Sequence, residues 1–379
     1  MSTAATLQGI VERTDSVGEK IFTASQWRLM WWKFRKHKLA VVSTAVVAFF
    51  YFMAIFCEFL APYPLEARDS KFALAPPERL HFVGEDGFHL RPFVYGRDKQ
   101  SDPETWRITF VENKDEVHPI YFFLHGQPYR FWGLWETDLH FFGVKDPEYV
   151  VSLLGMDKIG RDLLSRLIYG SRISLSIGLV GIFLTLIIGA VLGGMSGYYG
   201  GFIDNIVQRV IEMLRSIPQL PLWMALSAAL PPTLSPVKVY FGITVILSVI
   251  GWTGLARVVR GKILSLREED FVMAARLAGT GEMRIIVRHL LPSFLSHLIV
   301  SVTMSIPGMI LAETSLSFLG IGLRPPVTSW GVLLQNAQQV DALAHHPWFL
   351  APVFFIIAAV LAFNFVGDGL RDAVDPYVR

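Results

Sequence analysis

Groups able to do bond chemistry are sparse in this chain of 379 residues, which is 52% hydrophobic and 17% charged. A phosphate-cradling loop needs a glycine-rich turn followed by a lysine that reaches the phosphates; "GAVLGGMSGYYGG" has the glycines and lacks the lysine. HExxH, GxSxG and CxxC are absent from the sequence. Cys57 is the only cysteine, which excludes an intramolecular disulfide and a thiolate metal cluster. His345 and His346 are adjacent, a poor spacing for two ligands on one helix face, and a surface loop is their expected setting. No catalytic residue, metal site or cofactor bound by this chain is therefore expected. A net charge of +2 is too small to argue for nucleic acid as a partner.

Carboxylates inside apolar runs would point to ion coupling. Glu58, Glu212 and Glu313 fall near the ends of such runs or in the least regular one, and Asp368 lies just beyond the last. Ion-driven carriers need buried ionisable groups or broken-helix ion sites. An ion-coupled secondary transporter is thus the alternative reading from another class. An interaction protein anchored in the membrane, with its polar segment as the working part, is a third.

The remaining chemistry is recognition by shape. In "DFVMAARLAGTGEMRIIVRHLLP", Asp270 to Pro292, a helix would place Phe271, Ala274, Ala275 and Ala278 on one face through i, i+3, i+4, i+7 spacing. Three of these four are alanine, so a neighbouring surface can come close. Gly279 and Gly281 stop or bend the helix, and Pro292 sits where another can begin. A helix lying on lipid headgroups favours Leu, Phe and Trp over Ala. A docking helix fits this composition better.

The elements that must carry this helix are apolar runs long enough to cross a membrane. Six are expected: residues 39–60, 173–196, 203–230, 239–259, 294–312 and 349–366. The third is bent or broken around Pro218 and Pro221. Gly189, Gly193, Gly197 and Gly201 recur every fourth residue: the first two are expected to form a small-residue ridge for close helix packing, and the later two either extend it or shape the turn after the second span. An even number of spans puts both termini on one side. Residues 1–38 hold seven Lys and Arg (Arg13, Lys20, Arg28, Lys33, Arg35, Lys36 and Lys38). Another seven lie between the fourth and fifth spans, counting the helix end before them: Arg257, Arg260, Lys262, Arg267, Arg276, Arg284 and Arg288. The short loops opposite hold only Lys238 and Arg324. The positive-inside rule then places both termini in the cytosol. The polar segment 61–170 faces outward; "WRITFVEN", "HPIYFFLHG" and "YRFWGLWETDLHFFG" within it read as short strands. The expectation is an all-α polytopic membrane protein of about six transmembrane helices, with a β-rich extracytoplasmic insertion between the first and second.

The segment 270–292 resembles the EAA loop of permease subunits from bacterial ABC importers, whose pattern is Glu-Ala-Ala, three residues, Gly, then a spacer ending in Leu-Pro. Ala274, Ala275, Gly279, Leu291 and Pro292 match at that spacing; Met273 stands at the glutamate position and His289 where isoleucine is usual. "LLGMDKIGRDLLSRLIYGSRISLSIG", "SFLGIGLRPPVTSWG" and the closing "GDGLRDAVDP" resemble the oligopeptide, dipeptide and nickel class. The likeness is loose over 27–60 and close over 152–379.

The spans and loops divide the chain into a cytoplasmic N-terminal segment (1–38), a first helix (39–60), an extracytoplasmic domain (61–170) that the resemblance does not account for, and a five-helix core (171–379), which the resemblance makes a permease core with a coupling loop at 260–292. The resemblance also implies an inner-membrane location, pairing with a second homologous permease, and two ATP-binding subunits that supply ATP and Mg and receive Phe271–Gly279. A substrate-binding protein would deliver peptides or similarly sized solutes; oligosaccharides and opine-like conjugates are alternatives, and substrate-binding residues are unassigned. Met273 implies apolar contact with the ATPase, with Arg276 or Arg284 giving any salt-sensitive part.

Overall fold

The computed structural model describes residues 25–84, 87–101, 103, 108–146 and 149–375. Arg13 and Lys20, Trp106 and Arg107 of "WRITFVEN", and Pro376 of "GDGLRDAVDP" lie outside the described residues. In chain order, α1 (Gln26–Lys36), α2 (Lys38–Ile55) and the short α3 (Cys57–Leu60) precede a sheet of β1 (His81–Gly84), β2 (Gly87–Ser101), β3 (Ile108–Phe131) and β4 (Trp135–Val144). Then come α4 (Leu163–Tyr199), α5 (Gly201–Ser216), α6 (Gln219–Ala228), α7 (Pro236–Leu266), α8 (Asp270–Leu277), α9 (Leu295–Phe318), α10 (Trp330–Leu334) and α11 (Ala351–Val374). Short helical turns link the later elements.

Five helical stretches among the described residues are long and apolar enough to cross a membrane: α2, α4, α7, α9 and Pro347–Val374, which contains α11. The third expected span is two helices, α5 and α6, of 16 and 10 residues. Pro218 offers no N–H to continue α5 and forces Ile217 before it into an extended conformation (φ −91°, ψ 131°). Pro221 is accommodated in the first turn of α6, where its missing N–H has no partner to lose.

The second span begins at Leu163 rather than near residue 173, so the expected boundary at 170/171 falls inside a helix. Ser165, Arg166, Ser171 and Arg172 interrupt its first turns, and hydropathy therefore misses them. Asp162 caps α4, accepting from the Ser165 backbone N–H at 2.7 Å and its hydroxyl at 2.6 Å. Buried Arg166 donates to Asp157 at 2.6 Å.

Helices in lipid gain no hydrophobic drive toward one another, so close packing of small residues must hold them. A Cβ on Gly193 would stand 2.4 Å from the Ala256 carbonyl oxygen, and one on Gly197 would stand 2.8 Å from that of Arg260. Gly189 faces the Leu255 side chain at 3.0 Å by the same measure. These glycines let α4 and α7 lie backbone to backbone. A second core joins α2, α4, α9 and α11 around Trp330, which is fully buried with its indole N–H on the Leu167 carbonyl at 3.2 Å.

The sheet is an antiparallel meander in the order β1-β2-β3-β4, with Val94 opposite His118 and Phe131 opposite Trp135. A collar formed by the chain before β1 and after β4 ties it to α4. Asp69 N–H donates to the Gly160 carbonyl at 2.8 Å, and Met156 N–H to that of Ala75 at 2.9 Å. Gly160 has a φ of +78°, and a Cβ there would lie 1.9 Å from the Asp69 carbonyl oxygen, so only glycine fits. Inside the collar, Arg97 pairs with Glu78 at 2.8 Å and donates to Ser152 Oγ and the Val150 carbonyl, both at 2.8 Å. Burial nevertheless pushes the Glu78 carboxyl above its ordinary range, because the pair is removed from water.

At α4's other end, α1 packs Met30 and Phe34 against Ala373 of α11, and the Lys33 ammonium donates to the Asp375 carbonyl at 2.8 Å. The two ends of the described chain thus lie together. By its 37 residues, α4 is about 55 Å long, so the sheet and this end are on opposite sides of the helical layer.

Candidate functional site

The segment 270–292 is held at the far end of α4 from the sheet. Helix α8 buries one residue completely, Val272, which packs with Tyr198, Ile263, Ile285, Ile286 and Leu290. Asp270 in the first turn suits the positive end of the helix dipole. Thr280 N–H reaches back to the Ala275 carbonyl at 3.0 Å and Gly279 N–H to that of Arg276 at 2.9 Å, closing the helix in a Schellman turn. Gly279 supplies the required left-handed backbone, with φ +75°, while nothing crowds its Cβ position.

Of the four residues expected on one face, Phe271, Ala274 and Ala278 are exposed, whereas Ala275 is half-buried and packs inward beside Val272. Met273 and Leu277 are exposed as well, Leu277 by 88%. The outward surface is therefore apolar and small, broader than the expected alanine face. Arg276 does not reach outward alone: its Nε donates to the Tyr198 hydroxyl at 3.1 Å and its guanidinium lies 5.1 Å from that ring. It pins α8 to the end of α4, leaving exposed Arg284 as the freer cation of the two. Leu291 is half-buried against the same cluster, and Pro292 opens a short exposed turn before α9. A second tether lies alongside. Asp204 of α5 binds Arg260 of α7 through two hydrogen bonds of 2.6 Å and receives the Ser196 hydroxyl.

Three polar clusters at the sheet end were not resolved by sequence reasoning. Arg172 donates to the Ala54 carbonyl at 2.9 Å and the Ile55 carbonyl at 3.1 Å, satisfying acceptors that α2 leaves open at its end. The same guanidinium grips both Glu58 oxygens at 2.5 Å. Asp157 accepts from Arg161 and Arg166 and from the backbone N–H groups of Ile159 and Arg161. Glu313, fully buried, receives the hydroxyls of Ser317 and Ser329 at 2.7 Å. Ser329 in turn accepts from Val332 N–H and caps α10, and the Trp330 N–H donates to Ser174 at 3.0 Å. The only advance signal for these clusters was charged or hydroxyl residues persisting inside otherwise apolar blocks.

What the arrangement can do follows from what it lacks and what it presents. Among the described residues, no group of three or more His, Cys, Asp or Glu could hold a metal ion. Arg172–Glu58 and Arg260–Asp204 fasten helices to one another, and α8 presents a surface that is largely apolar. Such a fold defines a polytopic membrane protein with a short, outwardly apolar helix on one side and a sheet on the other.

Residues 162–379 match the family of binding-protein-dependent transport system inner membrane components, and the chain belongs to that family. Residues 25–77 match the N-terminal TM domain of oligopeptide transport permease C. The dipeptide transport system permease protein DppC of Bacillus subtilis is 41% identical over 226 residues, 59% of this chain and 68% of that protein. The oligopeptide transport system permease protein OppC of Haemophilus influenzae is 41% identical over 227 residues, 59% of this chain and 70% of that protein. Among solved structures, a chain of the inward-facing MetNI methionine ABC transporter aligns with 57% of this chain and 100% of its own length, at 20% identity and a TM-score of 0.46. That likeness is too distant to support a conclusion.

Proposed function

We propose that the chain is one permease half of an ATP-driven importer for peptides or similarly sized solutes. It pairs with a second homologous permease, receives solute from a substrate-binding protein on the sheet side, and docks through α8 onto one of two ATP-binding subunits. ATP and Mg belong to those subunits, and this chain performs no bond chemistry. The termini and α8 face the cytosol, a side supported by the Lys and Arg of α1 and of residues 257–288. The observation that carries the reading is the outward surface of α8: Phe271, Met273, Ala274, Leu277 and Ala278 stand exposed on a short helix braced from behind by Val272 and Arg276. Apolar helix faces of this kind seat in grooves. The names of the relatives support the peptide class.

The test uses the full chain co-expressed with its partner permease and ATP-binding subunits. Ala274→Arg and Ala278→Arg alter only the outward face, because Ala275 packs inward and its replacement would unseat α8 itself. Both variants are expected to insert normally yet lose at least tenfold in recovery of the ATP-binding subunits and in uptake of labelled di- and oligopeptides. A buried unpaired charge in the groove costs several kcal/mol, on the order of 3–5. Normal recovery and uptake in both variants would overturn the docking assignment.

A further inference from the structure

The turn between β3 and β4 stands where the first span ends. Trp132 donates its indole N–H to the carbonyl of Ile55, the last residue of α2, at 3.0 Å, and its backbone N–H to Glu58 at 3.3 Å. The Arg172 guanidinium lies 4.5 Å from the centre of the indole ring, and the Phe131 ring is 6.0 Å from that of Phe56. These contacts set the turn at the depth of the last apolar residue of α2. Trp132 also has a φ of +52°, a conformation that a bulky side chain rarely adopts unless its surroundings hold it there. Here Ile55, Glu58 and Arg172 hold it.

The rest of the turn has no such cover. Leu134 and Trp135 are 72% and 64% exposed, and Phe52, Ile55 and Phe56 are exposed on the adjoining chain. The apolar surface of the turn thus continues the surface that α2 presents to lipid. One rung further back, the exposed Arg130–Glu136 pair, 2.6 Å apart, faces each other across the hairpin and marks the return to water.

We propose that the β3–β4 turn is a lipid-interface anchor, with Trp132, Leu134 and Trp135 entering the headgroup region of the leaflet in which α2 ends. Tryptophan suits this boundary because its ring is apolar and its N–H polar. The anchor fixes the height of the sheet above the membrane. A soluble partner protein is the competing occupant. Lipid is favoured because the patch is continuous with α2, and a partner covering both would have to reach below the headgroups.

Cys57 is fully buried, so a cysteine introduced in the turn offers a single accessible site for a nitroxide label. The full-length Leu134→Cys and Trp135→Cys variants are labelled and placed in phosphatidylethanolamine–phosphatidylglycerol vesicles, with Ile108→Cys at the start of β3 as the comparison. The ratio of collision with oxygen to collision with a water-soluble nickel chelate reports depth. It is expected to be at least threefold higher at both turn positions than at 108. Equal ratios at the three positions would overturn the proposal. Shielding that appears only when the soluble binding protein is added would also overturn it and assign the turn to that partner.

Discussion

Asp162 is more useful to this fold as an acceptor than as a charge. It caps α4 through the Ser165 N–H and hydroxyl, and burial pushes its carboxyl up to about 6. A raised value means that the folded chain holds this proton more tightly than the unfolded one. Its contribution is therefore fully favourable below about pH 4 and is lost as pH rises through about 6. Asp162→Asn keeps an acceptor and removes the charge. Relative to the parent, the variant should gain stability as pH rises from about 4 to 7, by up to about 2–3 kcal/mol, whereas Asp162→Ala, which removes charge and acceptor together, should fall about 1 kcal/mol below the Asn variant. Thermal midpoints in detergent across that range check both; parallel curves for parent and Asn variant would remove Asp162 as a source of pH dependence. At this scale the sequence was legible as blocks and not as roles. "GMDKIGRDLLSR" is conspicuous on the page, yet Asp157 becomes a hub only when the chain turns back on itself to bring Arg161, Arg166 and two backbone donors to one carboxylate. Glu313 could be placed near a span end, but its partner Ser329 lies on a later loop. Arg172 directly precedes the expected second span, and nothing local reveals that it closes the end of α2.

Among elements, the long apolar runs could be found because their composition alone suffices. Their ends were harder, since charged residues such as Arg166 and Arg172 in the first ten residues of α4 are matched by partners from elsewhere in the chain. Helix α8 was legible in position and termination, because Gly279 and its Schellman turn are local features. Its facing was only partly so. Val272, which decides which way α8 points, is one more apolar residue in an apolar stretch until Tyr198 and Ile285 surround it. The glycine ridge leads to a graded expectation. Gly193→Ala drives a methyl into the Ala256 backbone, which cannot yield without separating α4 from α7. Gly189→Ala meets only the Leu255 side chain, at 3.0 Å from its Cβ, a crowding that a shift of a few tenths of an ångström relieves. Folded yield should fall severely for Gly193→Ala and modestly, by no more than about twofold, for Gly189→Ala, corresponding to a cost of about 0.4 kcal/mol. Size-exclusion profiles of the two proteins compare them directly, and similar losses would show that backbone approach is not what the ridge provides.

For the whole molecule, the sheet and α8 belong to opposite ends of one body, and removing the sheet should separate two functions. The collar shows where to cut. Residues 69–78 and 149–162 brace α4, so an excision spanning 66–150 would damage the helical layer itself. Replacing residues 82–143 with a short Gly/Ser bridge, together with Glu78→Gln to avoid leaving a buried carboxylate without Arg97, spares the collar. Recovery of the ATP-binding subunits is expected to persist, while uptake at limiting solute falls at least fivefold. Uptake equal to the parent's would mean that the sheet has no part in delivery. The continuity of α4 has a mechanical consequence. Its N-terminal turns are bolted to the collar and its last turn to Arg276 of α8, with no proline or break between. A rod of about 55 Å so fastened works as a lever: a tilt of about 10° imposed at the α8 end would swing the collar end by about 10 Å if the pivot lay near α8. The glycine contacts hold α7 backbone to backbone against α4, so the two helices would move as one rigid pair. Movement started by nucleotide on one face would then reach the other without any signal passing through the interior side chains.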